Sequence, residues 1–217
     1  MKAKAVIFDL DGTLLNTLRN LGEAMNAVLF EHNFPEHPVD AYRLFLGEGM
    51  DALVRQALPE EKRDEALVGR LMEKMREEYG RRWPHHTRAY SGVPEMLDEL
   101  ERRGLPKAIL TNHQHHFMIQ MVEKFLGDWS FSVVRGVLPG APRKPDPAVA
   151  LEIAREMDLL PNEIVFVGDS GIDMLTAEAA GMYGAGVLWG YRDAAELLQA
   201  GARTLLTEPH ELFSVLI

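Results

Sequence analysis

Residues 5–14 read Ala5-Val6-Ile7-Phe8-Asp9-Leu10-Asp11-Gly12-Thr13-Leu14. Four consecutive apolar, β-favouring residues run into an Asp-Gly turn, the pattern of a short buried strand. The run carries no polar alternation, as befits a parallel strand covered on both faces. In an open parallel sheet, ligands bind beyond the carboxyl ends of the strands. Two carboxylates spaced i, i+2 at such an end can point into one pocket, and Gly12 lets the backbone turn sharply beside them. Asp9, Asp11 and Gly12 are therefore the first candidate site residues.

Outward from this stretch, similar apolar runs recur at 108–110, 131–134, 164–167, 186–189 and 204–206. Helical spacing separates them: Val93, Met96, Leu97 and Leu100; then Phe117, Met121, Val122 and Phe125; then Val149, Ile153 and Met157. Asp146-Pro147 supplies a cap and a first-turn proline for the last of these helices. Strand and helix alternating from residue 90 onward predict an α/β fold with a Rossmann-like, doubly wound parallel sheet. Residues 15–89 break the rhythm. Leu18, Leu21, Met25, Val28 and Leu29 mark one amphipathic helix, and Leu67, Leu71, Met75 and Tyr79 another. No strand candidate falls between them. The expected organisation is a catalytic core of residues 1–14 and 90–217 with an all-helical insert at 15–89.

Composition sets outer bounds. The chain has 217 residues, 47% hydrophobic and 26% charged, ample for a sizeable core. Lys and Arg number 23 against 33 Asp and Glu, a net charge of −10. A field of that sign repels nucleic acid and anionic lipid, so neither is expected as a partner. A phosphorylated substrate would need a local cation or a metal. Cysteine is absent, which excludes disulfides and thiolate chemistry and suits a cytoplasmic location. Asp9 cuts the N-terminal apolar run after four residues, too short for a secretory core or a membrane span. A soluble, unprocessed protein is expected.

Three further segments fall at element boundaries: Leu110-Thr111-Asn112, Lys144-Pro145-Asp146-Pro147, and Gly168-Asp169-Ser170-Gly171-Ile172-Asp173. Together with Asp9-x-Asp11-Gly-Thr-Leu, and in this order, they resemble the haloacid dehalogenase superfamily of aspartate-dependent phosphohydrolases. The resemblance covers the whole chain, with 15–89 at the position of the superfamily's helical cap. It implies that Asp9 attacks phosphorus to give an aspartyl-phosphate, splitting one hard displacement into two. Asp11 would protonate the leaving oxygen and then activate water. Thr111 and Lys144 would donate to the phosphoryl oxygens. The implied cofactor is Mg²⁺, held by Asp9, the backbone carbonyl of Asp11 and Asp169. Asp173 would bind a metal water or Lys144. Gly12, Asn112 and His113 would face the substrate.

Two positions depart from the superfamily pattern. Asn16 stands where an acid is common, and His113 stands where lysine often follows Thr-Asn. The spacing of His113, His115 and His116 at a helix start puts them on different faces, so solvated histidines are expected there. The resemblance also narrows the reaction. Dehalogenating members lack the second aspartate, which Asp11 supplies. Mutases carry an arginine in the cap loop, where this chain offers Gly47-Glu48-Gly49. Phosphonatases need a cap lysine, and Lys62 and Lys74 sit in charge-rich helical faces. The Gly47-Glu48-Gly49 loop and the Val187-Leu188-Trp189-Gly190-Tyr191 segment look most like phosphoglycolate phosphatases. The expectation is an Mg²⁺-dependent phosphatase of a small phosphorylated metabolite, phosphoglycolate first, acting as a monomer or homodimer. A sugar-phosphate phosphatase or phosphomutase is the alternative enzyme, and a phosphate-binding or signalling module the alternative from another class.

Overall fold

The computed structural model describes residues 3–216; Met1, Lys2 and Ile217, at the ends of the expected core, lie outside them. The chain runs β1 (Ala5–Phe8), β2 (Leu15–Asn16), α1 (Leu18–Glu31), α2 (Met50–Ala57), α3 (Glu65–His86) and β3 (Arg88–Ala89). It continues α4 (Val93–Arg102), β4 (Lys107–Gln114), α5 (His115–Phe125), β5 (Val133–Val137) and α6 (Ala148–Glu156). It ends β6 (Ile164–Gly168), α7 (Gly171–Ala180), β7 (Tyr183–Val187), α8 (Ala194–Gln199) and β8 (Thr204–Leu206). No described helix is long and apolar enough to cross a membrane.

Six strands form one parallel sheet in the order β5-β4-β1-β6-β7-β8. The first strand is central, the next two extend the sheet to one side, and the last three extend it to the other. That reversal is the doubly wound order, with its ligand crevice beyond the ends of the central strands. Phe8 is in register with Ile109 of β4 and Val167 of β6, so the three strands release their loops at one level. Both faces are covered. Ala5 and Ile7 pack with Ala150, Ile153, Ala154, Ala177 and Ala180 from α6 and α7, while Val6 and Phe8, of opposite parity, are equally buried. This double burial is why the strand reads as an unbroken apolar run.

Four expectations shift. The strand expected at 131–134 is β5 at Val133–Val137, and that expected at 186–189 is β7 at Tyr183–Val187. In β7, glycines stand where apolar side chains mark other strands. A Cβ on Gly186 would lie 3.1 Å from Leu197 Cδ1 and Leu205 Cδ2, so close packing took the residues the pattern needed. Residues 15–89 were expected to lack strands, but β2 and β3 pair as a two-stranded ladder at the two ends of that stretch. Two residues are too few to show a period of two. At α6 the helix begins at Ala148, with Asp146 Oδ1 accepting from Ala148 N at 2.9 Å.

By contacts the chain divides into Met1–Leu15 with Ala89–Ile217, which holds the sheet, and Asn16–Arg88. In the second unit α1 packs along α3, burying Leu21, Met25, Val28 and Leu29 with Leu71, Met75 and Tyr79. Asn20 Nδ2 bonds Trp83 O and Thr87 Oγ1 at 2.7 and 2.8 Å, tying the start of α1 to the end of α3. Tyr42, Phe45 and His37 pack edge to face, and Tyr42 Oη donates to Asn26 Oδ1.

Candidate active site

Asp9 follows β1 directly, and its N–H still donates to Val167 O of β6 at 2.9 Å. The chain then folds into a tight loop in which Leu10 O accepts from the amides of Leu14 and Leu15 at 3.0 and 2.9 Å. Gly12 makes that loop possible, with φ +84° and the position of a Cβ only 2.2 Å from Asp169 Oδ2. No side chain fits there without displacing Asp169. The loop thus brings Asp11 to the sheet's carboxyl edge and backs directly onto the end of β6.

Lys144 joins the elements. Its Nζ lies 2.7 Å from Asp9 Oδ1 and 2.6 Å from Asp173 Oδ1, and its side chain is 2% exposed. Asn112 holds the lysine in place from the end of β4: its Oδ1 accepts from Lys144 N and its Nδ2 donates to Lys144 O, both at 3.0 Å. The amide expected to face substrate therefore grips the Lys144 backbone. Beside it, Thr111 Oγ1 accepts from His113 N at 3.1 Å, which leaves the hydroxyl proton to be donated elsewhere.

Asp169 and Asp173 come from the β6–α7 turn. Tyr191 N donates to Asp169 Oδ2 at 2.7 Å. Ser170 caps α7: Asp173 Oδ2 accepts from Ser170 N at 3.1 Å and from its Oγ at 2.7 Å. Oxygens of Asp9, Asp169 and Asp173 all lie within 4.8 Å of one another, and all three residues are buried. Burial raises the Asp9 carboxyl to about 7, against the pull of Lys144 and with help from Asp173 and Asp11. Asp169 is raised well above the usual carboxylate range by burial, then by Asp173 and Asp9. Burial alone would lower the Lys144 ammonium; Asp173 and Asp9 overcome it, and its pKa rises.

Three carboxylates facing one ammonium leave two negative charges uncompensated out of water, a costly arrangement. Asp9 Oδ1 is buried and accepts no well-directed hydrogen bond, although the ammonium is near. A hard divalent cation fits this all-oxygen donor set and supplies the missing charge.

The expected site residues thus fall in two groups. Asp9, Asp11, Gly12, Thr111, Asn112, His113, Lys144, Asp169 and Asp173 come together at the sheet edge. Gly47, Glu48 and Gly49 lie in the unit Asn16–Arg88, in the loop before α2, with Gly47 and Gly49 at φ 114° and 103°.

The expectation of solvated histidines is overturned for His113 and His115. Strand β4 runs on to Gln114, so His113 belongs to the strand end, 8% exposed, with Nδ1 2.8 Å from Asp11 Oδ2. His115 Nδ1 accepts from Gly136 N at 3.3 Å.

Sequence reasoning quoted Ser170 and the 187–191 segment but gave neither a contact at the site. The Ser-x-x-Asp spacing at 170–173 is a capping-box signal that could have revealed that of Ser170. Trp189 Nε1 donates to Thr13 O at 2.9 Å, so the segment beyond β7 braces the Asp9–Leu14 loop.

Residues 6–187 match the family of haloacid dehalogenase-like hydrolases. A phosphoglycolate phosphatase of Mannheimia succiniciproducens is 31% identical over 194 residues, covering 87% of each chain. One from Nitrosospira multiformis is 32% identical over 213 residues, covering 96% of this chain and 93% of that protein. A crystal structure of a predicted phosphoglycolate phosphatase from Haemophilus somnus superposes with a TM-score of 0.90 at 26% identity, covering 99% and 98% of the two chains. With the carboxylate–lysine cluster at the sheet edge and a match spanning most of its length, the chain belongs to the haloacid dehalogenase-like hydrolases.

Proposed function

We propose that the chain is an Mg²⁺-dependent phosphatase that hydrolyses a small phosphomonoester through an aspartyl-phosphate on Asp9, with phosphoglycolate the leading substrate. One observation carries the reading: Asp9 lies against Lys144 in a buried cluster of three carboxylates, with Asp11 two residues on.

Bound to Asp9, Asp169 and the Asp11 carbonyl, with Asp173 nearby, Mg²⁺ would neutralise the phosphoryl oxygens and let two anions approach. Asp9 attacks phosphorus. Asp11 gives a proton to the ester oxygen as the P–O bond breaks, then takes one from the water that opens the acyl-phosphate. The Thr111 hydroxyl and Lys144 ammonium donate to the phosphoryl oxygens, whose charge grows in the transition state. Asn112 keeps Lys144 at the site by holding its backbone. The relatives named phosphoglycolate phosphatase, about a third identical over most of their length, support phosphoglycolate over other esters. The Gly47-Glu48-Gly49 loop is assigned to substrate selection on the same reading.

Steady-state phosphate release over phosphoglycolate, sugar phosphates and nucleotides, with Mg²⁺ or with EDTA, tests this. Metal-dependent turnover strongest on phosphoglycolate is expected. A different best ester would keep the mechanism and replace the substrate, and no turnover on any ester would remove the phosphatase reading.

A further inference from the structure

We propose that His113 is a positioning residue for Asp11: its Nδ1–H fixes the carboxylate that exchanges protons with the leaving group and with water. The inference rests on the acid–base reading of Asp11 given above.

Asp11 sits in a loop, one residue before a glycine in the left-handed region, where a carboxylate rotates easily. Its proton must nonetheless reach one oxygen of the ester and, later, one water. His113 Nδ1 lies 2.8 Å from Asp11 Oδ2, a bond spanning 102 residues that joins the β1 loop to the end of β4. With Asp11 ionised, the ring nitrogen is the donor. Anchoring Oδ2 sets the carboxylate plane and assigns proton exchange to Oδ1.

The imidazole is itself held firmly. The His113 backbone N–H donates to Thr111 Oγ1, which fixes the residue at the strand end, and Phe117 meets the ring edge-on at 6.3 Å between centroids. The side chain is only 5% exposed, against 17% for Asp11. His113 is thus placed to act through Asp11, and Asp11 is the more open of the two to a substrate.

The step affected is balanced simply. The Asp9 carboxylate forms a bond to phosphorus as the ester P–O bond breaks, and the proton on Asp11 passes to the departing oxygen. Alkyl esters need that proton, because an alkoxide is a poor leaving group; p-nitrophenyl phosphate, with a stabilised phenolate, needs it far less. A well-placed general acid contributes on the order of 10²–10⁴-fold. Losing only its orientation should remove a part of that.

The test compares kcat/KM, which reports the steps through release of the alcohol, for the best alkyl phosphomonoester and for p-nitrophenyl phosphate. His113→Ala should lose about tenfold or more on the alkyl ester and less than about threefold on the aryl ester. His113→Asn, whose amide N–H can reach the same oxygen, should recover most of the alkyl-ester rate, while His113→Leu should not. Thermal unfolding of each variant reports its folding separately. Equal losses on both esters, or no loss on either, would overturn the inference. Asp11→Asn on the same two esters separates it from its foundation. If Asp11→Asn shows the leaving-group split and His113→Ala does not, the positioning role alone falls. If Asp11→Asn leaves alkyl-ester turnover intact, the acid–base reading falls, and the inference with it.

Discussion

Tyr191 reaches Asp169 through its backbone: the amide donates to Oδ2 at 2.7 Å, and the carboxylate is held by a loop that follows β7. Gly190, just before it, packs against the same aspartate. A Cβ there would fall 2.3 Å from Asp169 Cβ and 2.4 Å from Gly12 O. Gly190→Ala must therefore push Asp169 or the Gly12 turn aside. Loss of an outer-shell support of a metal ligand typically costs 10–100-fold in affinity or activity. About that loss in Mg²⁺ affinity is expected, with the circular-dichroism spectrum unchanged. Metal titration checks it; parental affinity would show that the loop merely lies beside the aspartate.

Asp9→Asn and Lys144→Ala should both abolish turnover, yet differ in stability. The amide removes a carboxylate that is costly to bury, so Asp9→Asn should be at least as stable as the parent when metal-free. Removing Lys144 leaves Asp9 and Asp173 buried without their cation. Breaking such a pair from one side costs about 3–5 kcal/mol. Denaturant unfolding of the two variants in EDTA distinguishes them, and a destabilised Asp9→Asn would contradict the charge balance described here.

The same balance predicts a pH dependence for the metal-free chain. Burial raises Asp9 to about 7 from the ordinary carboxylate value of 3.8. Between these limits the folded state holds a proton that the unfolded state has released, so stability falls as pH rises across that window. Above it, the contribution is lost in full. Mg²⁺ requires the deprotonated site, so its affinity should rise over the same interval. Unfolding midpoints in EDTA from pH 4 to 8 check the sign. In Asp9→Asn the slope should flatten, and an unchanged slope would assign the effect to other groups.

The sequence shows the doubly wound sheet through β1 and β6, because strands buried on both faces must be apolar throughout. It shows Asp9, Asp11 and Asp169 because their motifs stand at strand ends, where the topology converges, and Lys144 because its motif leads into α6. It places β7 a few residues late, at 186–189, because Gly184 and Gly186 leave no hydrophobic mark. It hides β2 and β3, two residues each, which express no period. Asn112 and His113 are visible as neighbours of Thr111, but their partners are not. Asn112 grips a backbone 32 residues away and His113 a carboxylate 102 residues away, and no local pattern encodes such pairings.

Ser170 offers a test of whether helix capping and metal binding are separable at one turn. Its hydroxyl donates to Asp173 Oδ2 at 2.7 Å and its N–H to the same oxygen at 3.1 Å. Ser170→Ala removes the first bond and keeps the second. Asp173 Oδ1 stays paired with Lys144, and Asp169 keeps its bond from Tyr191. Loss of an N-cap hydroxyl costs about 0.5–2 kcal/mol. Stability should therefore drop by about that amount, while Mg²⁺ affinity stays within about threefold of the parent, a shift under 1 kcal/mol. Gly190→Ala should lose metal affinity, with a separate stability cost of about 1–3 kcal/mol from the forced contact. Denaturant unfolding and metal titration of both variants decide the matter. If Ser170→Ala lost metal affinity as severely as Gly190→Ala, the capping box would be part of the metal site, and Asp173 a ligand whose orientation depends on it.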